Sequence, residues 1–185
     1  MKTPWTDKID RSKPLPEYPR PQMFRKPWQS LNGPWDYAIT PACRWPGSYD
    51  GTITVPFSPE TELSGVRRTV KPDELLWYHR CVTLPESFLG KRVLLHFDAV
   101  DQEATVYING TPAMSHLGGY LPFEADVTNY INDGVMDIVV QVVDISDTGF
   151  HSRGKQRTKR GGIWYTPQSG IWQSVWMEAV PETYI

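Results

Sequence analysis

The sequence predicts an all-β fold, a jelly-roll β-sandwich of two antiparallel sheets, and three observations carry that prediction. Short runs of alternating apolar and polar residues recur along the chain, turn signals separate them, and no stretch sustains the period of an amphipathic helix. At 185 residues the chain is long enough for one domain with a sizeable core. An apolar fraction of 39%, with eight Trp, nine Tyr and six Phe, is sufficient to fill that core and argues against disorder.

Residues 1–26 contain Pro14, Pro16, Pro19 and Pro21, which prevent both helix and central strand. They are expected to form an extended arm docking through Leu15, Tyr18 and Phe24, with the sandwich occupying residues 27–185. After Leu31-Asn32-Gly33-Pro34, the residues Trp35, Tyr37 and Ile39 alternate with Asp36, Ala38 and Thr40, the pattern of a half-buried strand. Ile53-Thr54-Val55 reads as a short strand closed by Pro56, and Leu76 to Leu84 as a longer one closed by Pro85. In Arg92 to Asp98, the residues Val93, Leu95 and Phe97 share one face, and Ala104 to Ile108 repeats that logic. Asn109-Gly110 then signals a hairpin, because both residues tolerate the positive φ of a tight primed turn. Asp126 to Ile131 reads as a helical turn or a short strand. Asp137 to Val143 is almost continuously β-branched, as expected of a central strand covered on both faces. Ser146 to Gly170 lacks periodicity, and loops of that length usually carry function or move. Trp172 to Val180 is the last strand, with Val175, Met177 and Ala179 on one face and Trp172, Trp176 and Glu178 on the other.

A net charge of -2 gives no global field to recruit nucleic acid or an anionic membrane. No apolar run is long enough to span a bilayer and Met1 to Asp7 does not open a signal peptide, so the chain is expected to be soluble, with a cytoplasmic location favoured. Cys43 and Cys81 read as two buried free thiols, or as one disulfide in an exported protein. His79, His96, His116 and His151 show no metal-ligand spacing, and neither a phosphate-cradling loop nor a nucleophile elbow is present. No metal, cofactor or catalytic residue is therefore expected in this chain. Gly118-Gly119 and Gly161-Gly162 read as backbone corners.

The aromatic and polar groups near the C-terminal end are compatible with carbohydrate recognition. Indole faces stack on sugar C–H faces while amides and carboxylates hydrogen-bond hydroxyls, and Trp164, Tyr165, Gln168 and Trp172 follow Asp144 and Asp147 at the exit of a strand. The same rings would serve equally well as core residues or as a surface against another domain. Glycosidic hydrolysis needs two facing carboxylates; Asp98, Asp101, Glu103, Glu124, Asp126, Asp144 and Asp147 are available, and nothing singles out a pair. The cluster Arg153, Lys155, Arg157, Lys159 and Arg160 reads as a solvated loop or a contact to an acidic neighbour.

Several stretches together resemble the N-terminal domain of glycoside hydrolase family 2, which includes β-galactosidases, β-glucuronidases and β-mannosidases. They are Leu31 to Trp35, Val55-Pro56-Phe57, Trp77 to Arg80, Phe97 to Gly110, His116 to Phe123, Asp144 to Asp147 and Ile163 to Trp176. The resemblance implies a galactose-binding-like jelly roll ahead of an immunoglobulin-like domain and a (β/α)₈ barrel that holds both catalytic glutamates. The chain would then be a non-catalytic domain of a retaining β-glycosidase acting on O-glycosyl bonds, with a stand-alone carbohydrate-binding module as the alternative. Asp147 matches the first-domain aspartate that reaches toward sugar hydroxyls in β-galactosidases, whereas Thr54 falls near a position where those enzymes can present an asparagine. On this resemblance Asp147, Trp164, Tyr165 and Gln168 are the expected sugar contacts. Lys155, Arg157, Trp172 and Trp176 are the expected contacts to neighbouring domains.

Overall fold

A computed structural model describes residues 4–42 and 44–185. Among the described residues twelve strands form: β1 (Trp28–Ser30), β2 (Gly33–Pro41), β3 (Gly51–Val55), β4 (Glu74–Thr83), β5 (Arg92–Phe97), β6 (Val100–Asp101), β7 (Glu103–Ile108), β8 (Thr111–Leu117), β9 (Phe123–Asp126), β10 (Val135–Val143), β11 (Gly170–Ile171) and β12 (Val175–Val180). They build a six-stranded sheet in the order β3-β2-β4-β10-β7-β8, a four-stranded sheet in the order β1-β12-β5-β9, and the small pair β11-β6, all antiparallel. The two larger sheets face each other as the expected sandwich. The β-branched run lies at its centre, with β10 between β4 and β7.

Alternation decides which side chains fill the space between the sheets. Trp35 of β2, Leu76 and Tyr78 of β4, Met136, Ile138 and Val140 of β10 meet Val93, Leu95 and Phe97 of β5 and Val175 and Met177 of β12 in one continuous core. Each large side chain so buried contributes roughly 1.5–3 kcal/mol. The outer face of the six-stranded sheet carries a second, smaller cluster of Ala38, Leu75, Trp77 and Val139, with Trp45 packed on Trp77 at 4.6 Å. The Asn109-Gly110 turn joins β7 to β8 with both residues at positive φ, 50° and 77°. Asp126 ends β9, and a 3-10 turn over Thr128–Tyr130 follows.

The arm is more than an appendage. Asn32 anchors it, donating to the carbonyls of Pro14 and Leu15 while its Oδ1 accepts the Val175 amide at the start of β12. Farther along, Tyr18 is buried against Trp176, and the Arg20 guanidinium lies 4.7 Å over the Trp176 ring. Glu178, with no exposed surface, pairs with Arg20 and accepts two bonds from Arg25 at 2.9 and 3.0 Å. Burial pushes the Glu178 carboxyl up, and the Arg25 bonds together with the Arg20 charge more than reverse this, leaving it below its ordinary value. The opposite applies to His96, stacked on Trp176 at 3.9 Å, whose burial lowers it to about 4.

Three expectations change. Leu15 and Phe24 remain exposed, because the arm is clasped by Tyr18 and the arginines rather than by a row of apolar contacts. Cys81 is exposed, since odd-numbered β4 residues point to the outer face beyond the reach of the second cluster; Cys43 lies outside the described residues. The last strand is also interrupted. Gly170–Ile171 pairs with β6 before β12 begins at Val175, so Trp172 does not share a strand face with Trp176.

Candidate functional site at the root of the 146–170 loop

Both ends of the long loop are pinned at one place. On the entering side Asp144 accepts the Ser146 amide at 2.7 Å and the Ser169 hydroxyl at 2.6 Å. On the returning side the Ser169 amide donates to Glu60 at 3.2 Å, and the Ile171 amide donates to the Tyr78 hydroxyl at 3.1 Å. Gly170, at φ +77°, sits so close to Tyr78 that any Cβ would strike the hydroxyl. The loop itself is braced by strand-like bridges between Gln156 and Tyr165 and between Gly161 and Trp164.

Three carboxyls gather at this root, Asp101 and Asp144 buried and Glu60 partly buried. Burial raises Glu60 to about 7, against the pull of amide bonds from Ser169 and Val70. Asp101 is raised to about 6 by burial and then by the neighbouring Asp144 charge, and Asp144 is itself raised by burial. The folded state thus holds the Glu60 proton more tightly than the unfolded chain, whose glutamates titrate near 4.5. Its stabilising contribution is complete below pH 4.5 and is lost as pH rises through about 7. At 1.36 kcal/mol per unit this amounts to about 3 kcal/mol. His96 acts in the opposite sense, contributing stability above its unfolded value of 6.5 that is lost as pH falls toward about 4. Comparison with Glu60→Gln isolates the Glu60 part: in urea unfolding, the wild-type minus variant stability is expected to fall between pH 4.5 and 8 by an amount of this order. A difference that is flat with pH would show that Glu60 titrates normally.

The expected site residues divide into two groups. Asp147 accepts the Thr158 amide at 3.0 Å and the Thr158 hydroxyl at 2.7 Å, with the Arg157 Nε 3.8 Å away. These hydrogen bonds hold its carboxyl below the usual range and direct it into the loop. Arg157 lies 4.1 Å over the Trp164 ring, while Lys155 and Tyr165 are exposed. Gln168 and Trp172 belong to the second group. They line a cavity of about 180 Å³ with Asp101, Tyr120 and Gln156. Trp176 stands apart from both, only 2% exposed and covered by the arm of its own chain.

In that cavity Trp172 donates its Nε1 proton to the Gly119 carbonyl at 2.8 Å and meets Tyr120 edge to face. Gln156 donates from Nε2 to Asp101 Oδ2 at 3.2 Å, and its Oε1 accepts the Gln168 backbone N–H, which fixes the orientation of the Gln156 side chain. Asp101 Oδ1 is buried without a hydrogen-bond partner. Sequence reasoning passed over Asp101 as one acid among seven. Its one available signal was its position directly after the apolar Ala99-Val100 pair, which places it at a strand end facing inward.

A family model described as glycosyl hydrolases family 2, sugar binding domain, matches residues 28–181. The chain belongs to this family. Among its curated relatives, a β-galactosidase of Thermoanaerobacter pseudethanolicus is 34% identical over 111 residues, covering 59% of this chain and 14% of that protein. Human β-glucuronidase is 44% identical over 62 residues, 32% of this chain and 10% of that protein. The solved β-glucuronidase of Ruminococcus gnavus aligns with a TM-score of 0.66 at 23% identity, covering 90% of this chain and 30% of that one, a likeness of fold. The chain therefore spans about a third or less of the length of these relatives. No helix among its described residues is long and apolar enough to cross a membrane.

Proposed function

We propose that the chain is the non-catalytic first domain of a longer retaining β-glycosidase of the β-galactosidase type. It supports a catalytic barrel and lends the 146–170 loop to one edge of the sugar pocket. The observation that carries this reading is the gathering of exposed apolar side chains around a loop whose root is locked by buried polar contacts. Phe150, Ile163 and Tyr165 on the loop, and Leu117 and Leu121 beside it, stand in solvent. Apolar surface of this extent marks an interaction face, and a rigid root lets such a face dock without paying for loop ordering. In this reading Tyr165 and Gln168 reach the sugar or the barrel, Asp147 and Trp164 shape the loop behind them, and Lys155 and Arg157 meet acidic groups of the barrel. The barrel supplies one glutamate to protonate the leaving oxygen and another to form the glycosyl-enzyme intermediate.

The alternative of a free-standing carbohydrate-binding module draws less support, because Arg157 covers one face of Trp164 and Trp172 is braced by Tyr120 and Gly119. The test uses chromogenic β-galactosides and β-glucuronides. The longer polypeptide is expected to turn over at least one of them and the 185-residue chain none. Turnover by the chain alone, or a longer polypeptide inert toward every β-glycoside, would overturn the reading.

A further inference from the structure

We propose that Glu60 is a proton-operated latch on the 146–170 loop: with its carboxyl protonated the root stays shut, and ionisation lets the loop open ahead of the rest of the fold. The latch belongs to this chain alone and operates whether or not the accessory-domain reading holds.

Two carboxyls meet on one serine. Ser169, where the loop returns, gives its hydroxyl to Asp144 and its backbone N–H to Glu60 Oε2, while Glu60 Oε1 accepts the Val70 N–H. Glu60 thereby ties the segment after β3 to a residue 109 positions later. Bond lengths separate the two acids. Asp144 accepts at 2.6 and 2.7 Å, the short contacts of a charged acceptor, whereas the Glu60 bonds are long, at 3.2 and 3.3 Å. Asp144 is therefore the group equipped to keep a charge at the root, and Glu60 the one equipped to hold a proton.

The surroundings offer a Glu60 charge no counter-ion. Tyr78 of β4, Asp144 after β10 and Asp101 of β6 converge on the root, and none of them is a cation. On the segment of Glu60 itself, Arg67 pairs with Glu62 and Arg68 with Glu74. From the loop, His151 acts on Asp144, Arg153 donates to the Gly149 carbonyl and Arg157 lies beside Asp147. Among the described residues no arginine or lysine is ion-paired with Glu60, Asp101 or Asp144. On the Tyr78 side there is little room for water, since even a Cβ on Gly170 would strike the hydroxyl. A carboxylate in such a place is costly, and opening the root relieves the cost by giving it to solvent.

Burial accordingly raises the closed-state Glu60 to about 7, while in an opened root the same group meets water and titrates near 4.5. Closure is strongest below pH 4.5 and weakens as pH rises through about 7. Opening needs only the Ser169 and Ile171 contacts to break, and it leaves β10 paired with β4 and β7. Local openings of this kind lie below global unfolding in free energy.

The experiment is native-state hydrogen exchange of the 185-residue chain at pH 6, 7 and 8, followed by NMR, with protection factors corrected for intrinsic rates. The Ser169 and Ile171 amides are expected to be less protected than those of β10 at every pH. Their protection is expected to fall by about tenfold or more between pH 6 and 8. In Glu60→Gln, which cannot ionise, the fall is expected to shrink to about twofold, the part contributed by Asp101, which is raised to about 6. A constant loss of protection from the altered hydrogen bonds leaves this slope unchanged, and the wild-type series decides the matter even if the variant fails to fold. Root amides that exchange together with β10, protection that is flat or rises between pH 6 and 8, or a folded variant as steep as the wild type would each overturn the latch. Because exchange is measured without a catalytic domain, loss of the latch leaves the accessory-domain reading standing. Equally, an inactive longer polypeptide leaves the exchange result standing.

Discussion

Replacing Glu178 by alanine is expected to destabilise the chain by about 3 kcal/mol and to release its N-terminal arm. The carboxylate is fully buried, yet it holds Arg20, Arg25 and the Tyr18 hydroxyl in one cluster. Removing it leaves two guanidinium groups without their anion. The cost falls at the low end of the range for breaking a buried pair, because the Arg20 and Arg25 side chains are 36% and 19% exposed and water can partly replace the carboxylate. With the clasp gone, the outer face of Trp176 also loses the cover of Tyr18 and Arg20. Trypsin reads the release directly. Arg25 is followed by Lys26 rather than proline, so cleavage there is expected to accelerate in Glu178→Ala in step with the lost stability. A loss under about 1 kcal/mol, with Arg25 still protected, would mean that the arm is held by something other than this cluster.

Gly170→Ala is expected to have an effect of similar size for a different reason. At φ +77° an L-residue is strained by about 1–2 kcal/mol, and the added methyl must also push aside the Tyr78 hydroxyl and Leu76 Cδ2. Together these give about 3 kcal/mol, or roughly 10 °C in the unfolding midpoint for a domain of this size. The strain is concentrated where the loop returns, so hydrogen exchange should rise across residues 146–170 before it rises in β10. Tyr78→Phe provides the internal check. By itself it loses the bond from the Ile171 amide, at a cost of about 1 kcal/mol. Combined with Gly170→Ala it makes room for the methyl, so the double variant is expected to be more stable than the sum of the two single losses. Strict additivity would show that the two residues do not share the root of the loop.

The contrast between these two places shows how far the sequence alone could be read. Alternation in β2 and β5, the β-branched run of β10 and the Asn109-Gly110 turn are local signals, and each appears in the structure as expected. The burial of Trp176 and Glu178 is not a local signal. It depends on an arm about 150 residues earlier in the chain folding over β12, so a strand that alternates on paper has no exposed face. Cys81 shows the converse, an apolar residue in an apolar-looking strand that lies on the solvent side because register, not composition, sets the face. At the site, Gln168 and Trp172 were visible as chemistry in an aromatic run. The pairing of Asp101 with Gln156 was not, since they come from segments 55 positions apart and meet only when β6 and the loop are closed against each other.

The most direct measurement is kcat/KM of the longer polypeptide on its best β-glycoside with Tyr165→Ala or Gln168→Ala. Both residues are exposed in the isolated domain, so the unfolding midpoint of the 185-residue chain is expected to stay within about 1 °C. If the loop borders the sugar pocket, kcat/KM is expected to fall by about tenfold or more, the loss of one good contact to the reacting sugar. Unchanged kcat/KM in both variants would contradict a role for the 146–170 loop at the sugar site.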